Sequence, residues 1–234
     1  MRPSHPRPDE GLARRLSALL RLSAEIAAPL DEQEICDRVV HGLRDESLGY
    51  HFVGLFLVDE ETGDRVMRAA VGWKDTSAGW RVPKGEGLSA RALKDGQVHY
   101  TPDVTKEPLY IPGLSTGSEV DVPLIIEGDS AGVLVVESEQ PEAFAKEDFD
   151  ILTAAATQAS IAIARARLVE SQRQLLAAER RRADEQEALL ETMADLSAEL
   201  ELSKLLEAVL RRAVGLLGVS GGELAIYDEA AHEL

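Results

Sequence analysis

The sequence predicts an α+β fold in which a run of strands sits between helices and continues into one very long helix. Three observations carry this. Apolar residues recur at spacings of three and four near both ends. The middle holds short β-rich runs separated by turn residues. Beyond Lys146, apolar residues fall at sevens with Arg and Glu between them.

The elements follow in order. Residues 1–10 carry three prolines and little apolar content, which predicts a disordered arm. From Gly11, the positions of Leu12, Leu16, Leu19, Leu20 and Ile26 predict a helix. Pro29 punctuates the chain, and Asp31 is placed to cap a second helix through Ile35, Val39, Val40 and Leu43. Phe52 to Val58 is nearly all apolar, as expected of a strand covered on both faces. A turn at 60–64 joins it to Val66–Val71, and Arg81–Pro83 predicts a short third strand. Gly85, Gly87 and Leu88 lead into a short helix ending near Gly96, followed by an extended Gln97–Thr101. The connection over 102–118 is long for a compact domain, a length that often marks function. Val120–Ile126 and Gly132–Glu137 predict a second hairpin.

Phe149, Leu152, Ala156, Ala159 and Ile163 mark a buried face on the last helix. Beyond it, Ile161, Leu168, Leu175, Leu189 and Leu196 lie in one heptad register, broken by Arg182. Polar residues such as Gln172 and Glu179 weaken the seam. The pattern suits a marginal dimeric coiled coil, with a solvated connector as the alternative. Leu16 and Leu19 on the first helix join this candidate dimer surface.

Composition limits the partners. The 234 residues carry a net charge of −17 and 44% hydrophobic content, which describe a globular chain. That charge argues against nucleic acid and against an anionic membrane surface. No apolar run is long enough to span a bilayer, and the N-terminus lacks an apolar signal core. One cysteine, Cys36, excludes an internal disulfide and predicts a reducing, cytoplasmic setting.

Several segments, taken in order, resemble the GAF domain, a small-molecule sensor module. They are Gly85-Glu86-Gly87-Leu88-Ser89, the loop from Pro102-Asp103-Val104 to Ile111-Pro112-Gly113, and Ser118 through Leu124. Gly132–Ser138 and Phe144–Asp148 complete the set. Lys84 departs from the small or apolar residue often found there. The resemblance covers residues 22–168. It implies an α/β sandwich: a six-stranded antiparallel sheet with terminal helices on one face and ligand, where present, under residues 85–118 on the other.

The segment from Leu30 to Ile35 also recurs about 170 residues later at Leu200–Leu205, and Gly54–Asp59 recurs as Glu223–Asp228. The expected domains are therefore the arm at 1–10, a GAF-like domain at 11–168, a coiled-coil helix at 169–192 and the start of a second such domain at 193–234. That layout resembles the input half of a bacterial signalling protein whose output domain lies elsewhere.

The candidate ligand residues are Trp73, Trp80, Tyr100, Tyr110, Glu119, Asp121 and Glu137. The four aromatics suit the wall of a pocket for a flat organic ligand, and equally a small core or dimer face. Strand alternation puts Glu119 and Asp121 on one face and Val120, Val122 and Leu124 on the other. If that face is covered, Asp121 needs a partner such as an arginine or a ligand donor. Glu119 and Glu137 fall where the free methionine sulfoxide reductase branch carries acids that hold the substrate amine. Its cysteines, expected within 85–112, are missing here. Cys36 sits among Ile35, Val39 and Val40 and reads as a packing thiol. His99 is weighed as a haem ligand and read as an ordinary histidine.

These readings predict a non-catalytic sensing module that dimerises through its terminal helices, binds an unknown small molecule and needs no evident cofactor or metal. A ligand-free dimerisation spacer is the alternative, and a reductase-like enzyme a distant third.

Overall fold

The computed structural model describes residues 8–28, 31–45, 47–73, 78–111 and 116–225; side chains are described except at 8–10, 12 and 195–201. Two helices open the chain, α1 (Pro8–Ile26) and α2 (Glu32–Leu43). The strands are β1 (Phe52–Val58), β2 (Arg65–Val71), β3 (Arg81–Val82), β4 (His99–Thr101), β5 (Ser118–Ile126) and β6 (Asp129–Ser138). Helix α3 (Ala90–Asp95) and a short 3-10 turn (Val104–Lys106) flank β4, and α4 (Lys146–Leu217) closes the sequence of elements. Helix α1 starts inside the segment expected to be a loose arm; proline suits a first helical position because its missing N–H has no partner there anyway.

The chain divides into two units, one ending at Ser171 and the other starting at Gln172. In the first, six strands form one sheet in the order β3-β2-β1-β6-β5-β4, with antiparallel neighbours. This is the six-stranded sheet that the sequence resemblance implies. One face is packed by α1, α2 and the first turns of α4 through Leu22, Ile26, Val39, Leu55, Leu134, Leu152 and Ile163. Each such large side chain contributes about 1.5–3 kcal/mol by leaving water. Gly42 lets α1 lie close to α2, since a Cβ there would stand 2.6 Å from Leu22 Cδ1. The cap expected at Asp31 is formed, and as a full capping box: its side chain accepts from the Glu34 N–H, and Glu34 reaches back to the Asp31 N–H.

A polar cluster ties α1 to the first turn of α4. Arg15 Nη2 donates to Asp148 Oδ1 and to the Tyr50 hydroxyl, each at 2.5 Å, and Tyr50 donates to the same oxygen at 2.8 Å. The second Asp148 oxygen accepts from the Ala145 N–H at 2.7 Å. Burial opposes the Asp148 charge, yet donation from Arg15, Ala145 and Tyr50 holds its carboxyl below the usual range.

The candidate dimer residues separate into two groups. Leu16, Ile161, Leu168, Leu175 and Leu189 are exposed, Leu175 by 64%. Leu19 is instead half-buried against the core, because its position in α1 turns it toward the sheet. The Leu196 side chain lies outside the described residues.

In the second unit, α4 continues to Leu217 and Gly218 ends it in a left-handed conformation (φ 64°). The helix runs through the segment that repeats Leu30–Ile35, although the first copy of that segment follows a break between α1 and α2. The first copy has Pro29 where the second has Glu199, so nothing in the second copy interrupts the helix. Glu223–Ala225 is not in a strand, and the rest of the expected second strand lies outside the described residues. Among the described residues, no helix is long and apolar enough to cross a membrane.

Candidate functional site

The sheet face away from α1 and α2 carries the polar residues. On β5, Glu119 and Asp121 point to this face while Val120, Val122 and Leu124 join the helical core, as alternation requires. Glu119 stands opposite Glu137 of β6, which in turn stands opposite Phe52 of β1. A second row sets Asp121 between His99 and Val135. Gly54 follows Phe52 on this face and leaves room for the Trp73 indole, whose ring atoms would lie 2.3 Å from a Cβ at that position. Trp73 Nε1 donates to Glu137 Oε2 at 3.2 Å, and the Thr116 hydroxyl donates to the same oxygen at 2.7 Å.

Arg65, the first residue of β2, is almost wholly buried here. Its guanidinium donates to the Ser89 hydroxyl and to the Glu86 carbonyl, fastening the 85–89 loop to the sheet. Gly87 in that loop needs its positive φ of 73°, and a Cβ there would stand 3.1 Å from Ile111 Cδ1 and 3.5 Å from Arg65 Nη2. Together these elements enclose a cavity of about 80 Å³, lined by Phe56, Arg65, Trp73, Trp80, Val82, residues 87–89, Tyr110, Ile111, Glu119, Val135 and Glu137. Trp80 meets Phe56 edge to face, with centroids 6.1 Å apart.

Among the described residues, the carboxyls of Glu119, Asp121 and Glu137 share this face with one buried guanidinium, that of Arg65. Burial pushes the Glu119 carboxyl well up, and Asp121 and Glu137 push it further. Burial also raises Asp121, which Glu119, Arg65 and His99 only partly oppose. Glu137 is raised by burial against its bonds from Thr116 and Trp73. Among the described residues, no donor reaches either Asp121 oxygen.

Five of the seven candidate ligand residues therefore meet at one cavity: Trp73, Trp80, Tyr110, Glu119 and Glu137. Asp121 shares their face but lies beside the cavity rather than in its lining, in the row closer to His99. Tyr100 belongs to the other face. Its register partner is Val120, and its ring packs against Phe144 and Phe149. Arg65, Ser89, Thr116 and Phe56 complete the site without having been singled out from sequence. Cys36 is buried in the helical core on the opposite face, where burial pushes its thiol up to about 12. A thiol held neutral at that depth is a poor nucleophile.

A profile of the GAF domain matches residues 29–164, more than half of the chain, and the protein belongs to the GAF domain family, whose members commonly serve in sensing and signalling. GAF domain-containing protein A of Dictyostelium discoideum is 33% identical over 109 residues, covering 46% of this chain and 66% of that relative, just under two thirds of its length. Among solved structures, the GAF domain of an Acinetobacter phosphoenolpyruvate-protein phosphotransferase is 25% identical, with a TM-score of 0.61 over 66% of this chain and 95% of that one. A free methionine-R-sulfoxide reductase from Neisseria meningitidis, solved with its substrate, is 25% identical with a TM-score of 0.62 over 72% and 99%. A methyl-accepting chemotaxis protein fragment is 29% identical with a TM-score of 0.56 over 65% and 99%.

Proposed function

We propose that this protein is a non-catalytic sensing module that takes a small molecule bearing an ammonium group and relays its presence through α4 in a homodimer. The observation that carries the reading is the cavity itself. Glu119 and Glu137 stand opposite each other in it, aromatic rings wall it, and Arg65 is the one guanidinium in its lining among the described residues. Carboxylates supply charge for a cation and aromatic faces add cation–π attraction. The likeness to a substrate-bound reductase and to a chemotaxis protein supports binding and signalling respectively. Cys36 on the far face supports binding without thiol turnover.

The relay would use the exposed leucines at sevens on α4 as the seam between two copies. A ligand shifts helix packing only by binding one arrangement more tightly than the other. Native mass spectrometry beside a denatured spectrum tests both parts. The expected result is a dimer, with a mass excess on the native chain when ligand is carried. Leu175→Asp should give monomer, and an unchanged mass would refute the seam. The small cavity volume favours a second reading, a ligand-free dimerisation spacer, for which a clean dimer unaltered by any added amine is the expected result.

A further inference from the structure

We propose that Glu119 and Asp121 hold one proton between them at neutral pH, and that a cation entering the cavity displaces it to solvent, leaving both carboxyls ionised. The displacement rests on the cation reading above; the shared proton does not.

The geometry begins with placement. Glu119 and Asp121 are two apart on one face of β5, 5% and 0% exposed. Both Asp121 oxygens are without a donor among the described residues, and the neighbouring polar group is the Glu119 carboxyl. Two carboxylates cannot hydrogen-bond each other; one carboxylic acid and one carboxylate can, through a charge-assisted O–H···O bond. Leaving a buried carboxylate with no partner is the costly alternative.

The surrounding charges lead to the same count. On β6, Glu137 is supported by Trp73 and Thr116. On β2, Arg65 supplies one positive charge, while two of its donors are committed to Ser89 and Glu86. On β4, His99 is engaged by Asp95 at 2.8 Å. On α3, Arg91 is paired with Glu107 at 2.5 Å, and Lys94 is exposed. Three carboxyls face one buried guanidinium, so a second positive charge is wanted. Either a proton or a bound cation meets that need, and exchanging one for the other leaves the net charge of the site unchanged. Burial driving both acids up is consistent with the protonated form. Among the described residues, no set of three His, Cys, Asp or Glu side chains is arranged to hold a metal ion.

In the exchange no covalent bond other than O–H changes. The cation arrives with its charge, the proton leaves the pair to water, and both carboxyls end ionised. Cation affinity should then fall about tenfold per pH unit below the pair's titration and level off above it.

The first experiment needs no ligand. Infrared spectra of the full chain in heavy water at about pH 7 should show the carbonyl stretch of a buried protonated carboxyl, and Asp121→Asn and Glu119→Gln should each remove it. The band's absence from the wild-type protein would overturn the proposal. Methylammonium and tetramethylammonium chlorides are then titrated by calorimetry in two buffers of different ionisation enthalpy. Loss of about one proton per cation bound is expected, with that release abolished in Asp121→Asn. Binding with a buffer-independent enthalpy would overturn the displacement. A band with no cation bound up to about pH 9 would instead sink the cation reading, and the displacement with it, leaving the shared proton standing.

Discussion

Asp148 and Asp121 are two aspartates largely removed from water on opposite sides of one sheet, and their environments push them in opposite directions. Asp148 receives three hydrogen bonds, from Arg15, Tyr50 and the Ala145 N–H, and its carboxyl is held down. Asp121 receives none from the described residues and is held up. Burial raises both; the donors decide the sign. A carboxylate held by three donors fixes helix to sheet, whereas one that lacks them has affinity left for a proton or a ligand.

The largest effect should come from Asp148→Ala. It leaves the part-buried Arg15 guanidinium without its counter-charge and removes the bond to the start of α4, for a loss of about 3 kcal/mol in urea unfolding. A loss below about 1 kcal/mol would mean that the cluster is an ordinary surface pair and the comparison fails.

The pH profile of stability comes next, and the two sites give opposite signs. Glu119 and Asp121 keep protons in the folded state that the unfolded chain gives up near pH 4. Stability should therefore fall as pH rises from about 4 through their raised folded values, by at most about 1.4 kcal/mol per pH unit for each proton. Asp148 has a depressed folded value, so its contribution is present above about pH 4 and lost as pH falls through that lower value. A profile flat between about pH 5 and 8 would show that the pocket acids are ordinary.

The smallest effect is that of Asp121→Asn, and its sign is the sharpest point. Removing the under-compensated acid should stabilise the protein by about 1 kcal/mol at about pH 8 and by little at about pH 5. A clear destabilisation at both values would mean that Asp121 has a partner other than Glu119 in the folded protein.

The sequence makes one half of this comparison legible. Period-two alternation in β5 suffices to put Glu119 and Asp121 on one face, and it raises the question of an arginine partner. It does not identify Arg65, because β1 and β6 lie between the two strands and no local spacing connects them. Tyr100 goes astray for a related reason. Grouping the aromatics by nearness along the chain ignores the parity of a three-residue strand, which is fixed only by pairing with Val120. Leu16 and Leu19 fit the same helical period, and only the packed core separates the exposed one from the half-buried one. The repeated segment near residue 200 carries the helix-forming residues of the first copy but not its proline, so similarity of pattern does not reproduce the break.

Gly54 clears a slot for Trp73, and Trp80 closes the neighbouring wall. These are the two tryptophans of the chain. Indole emission from this protein therefore originates entirely at the cavity, with no background from the helical core or from the residues beyond Ser171. The protein carries its own optical reporter, in which a change of colour or quenching means a change at Glu137, at Phe56 or in whatever lies between them.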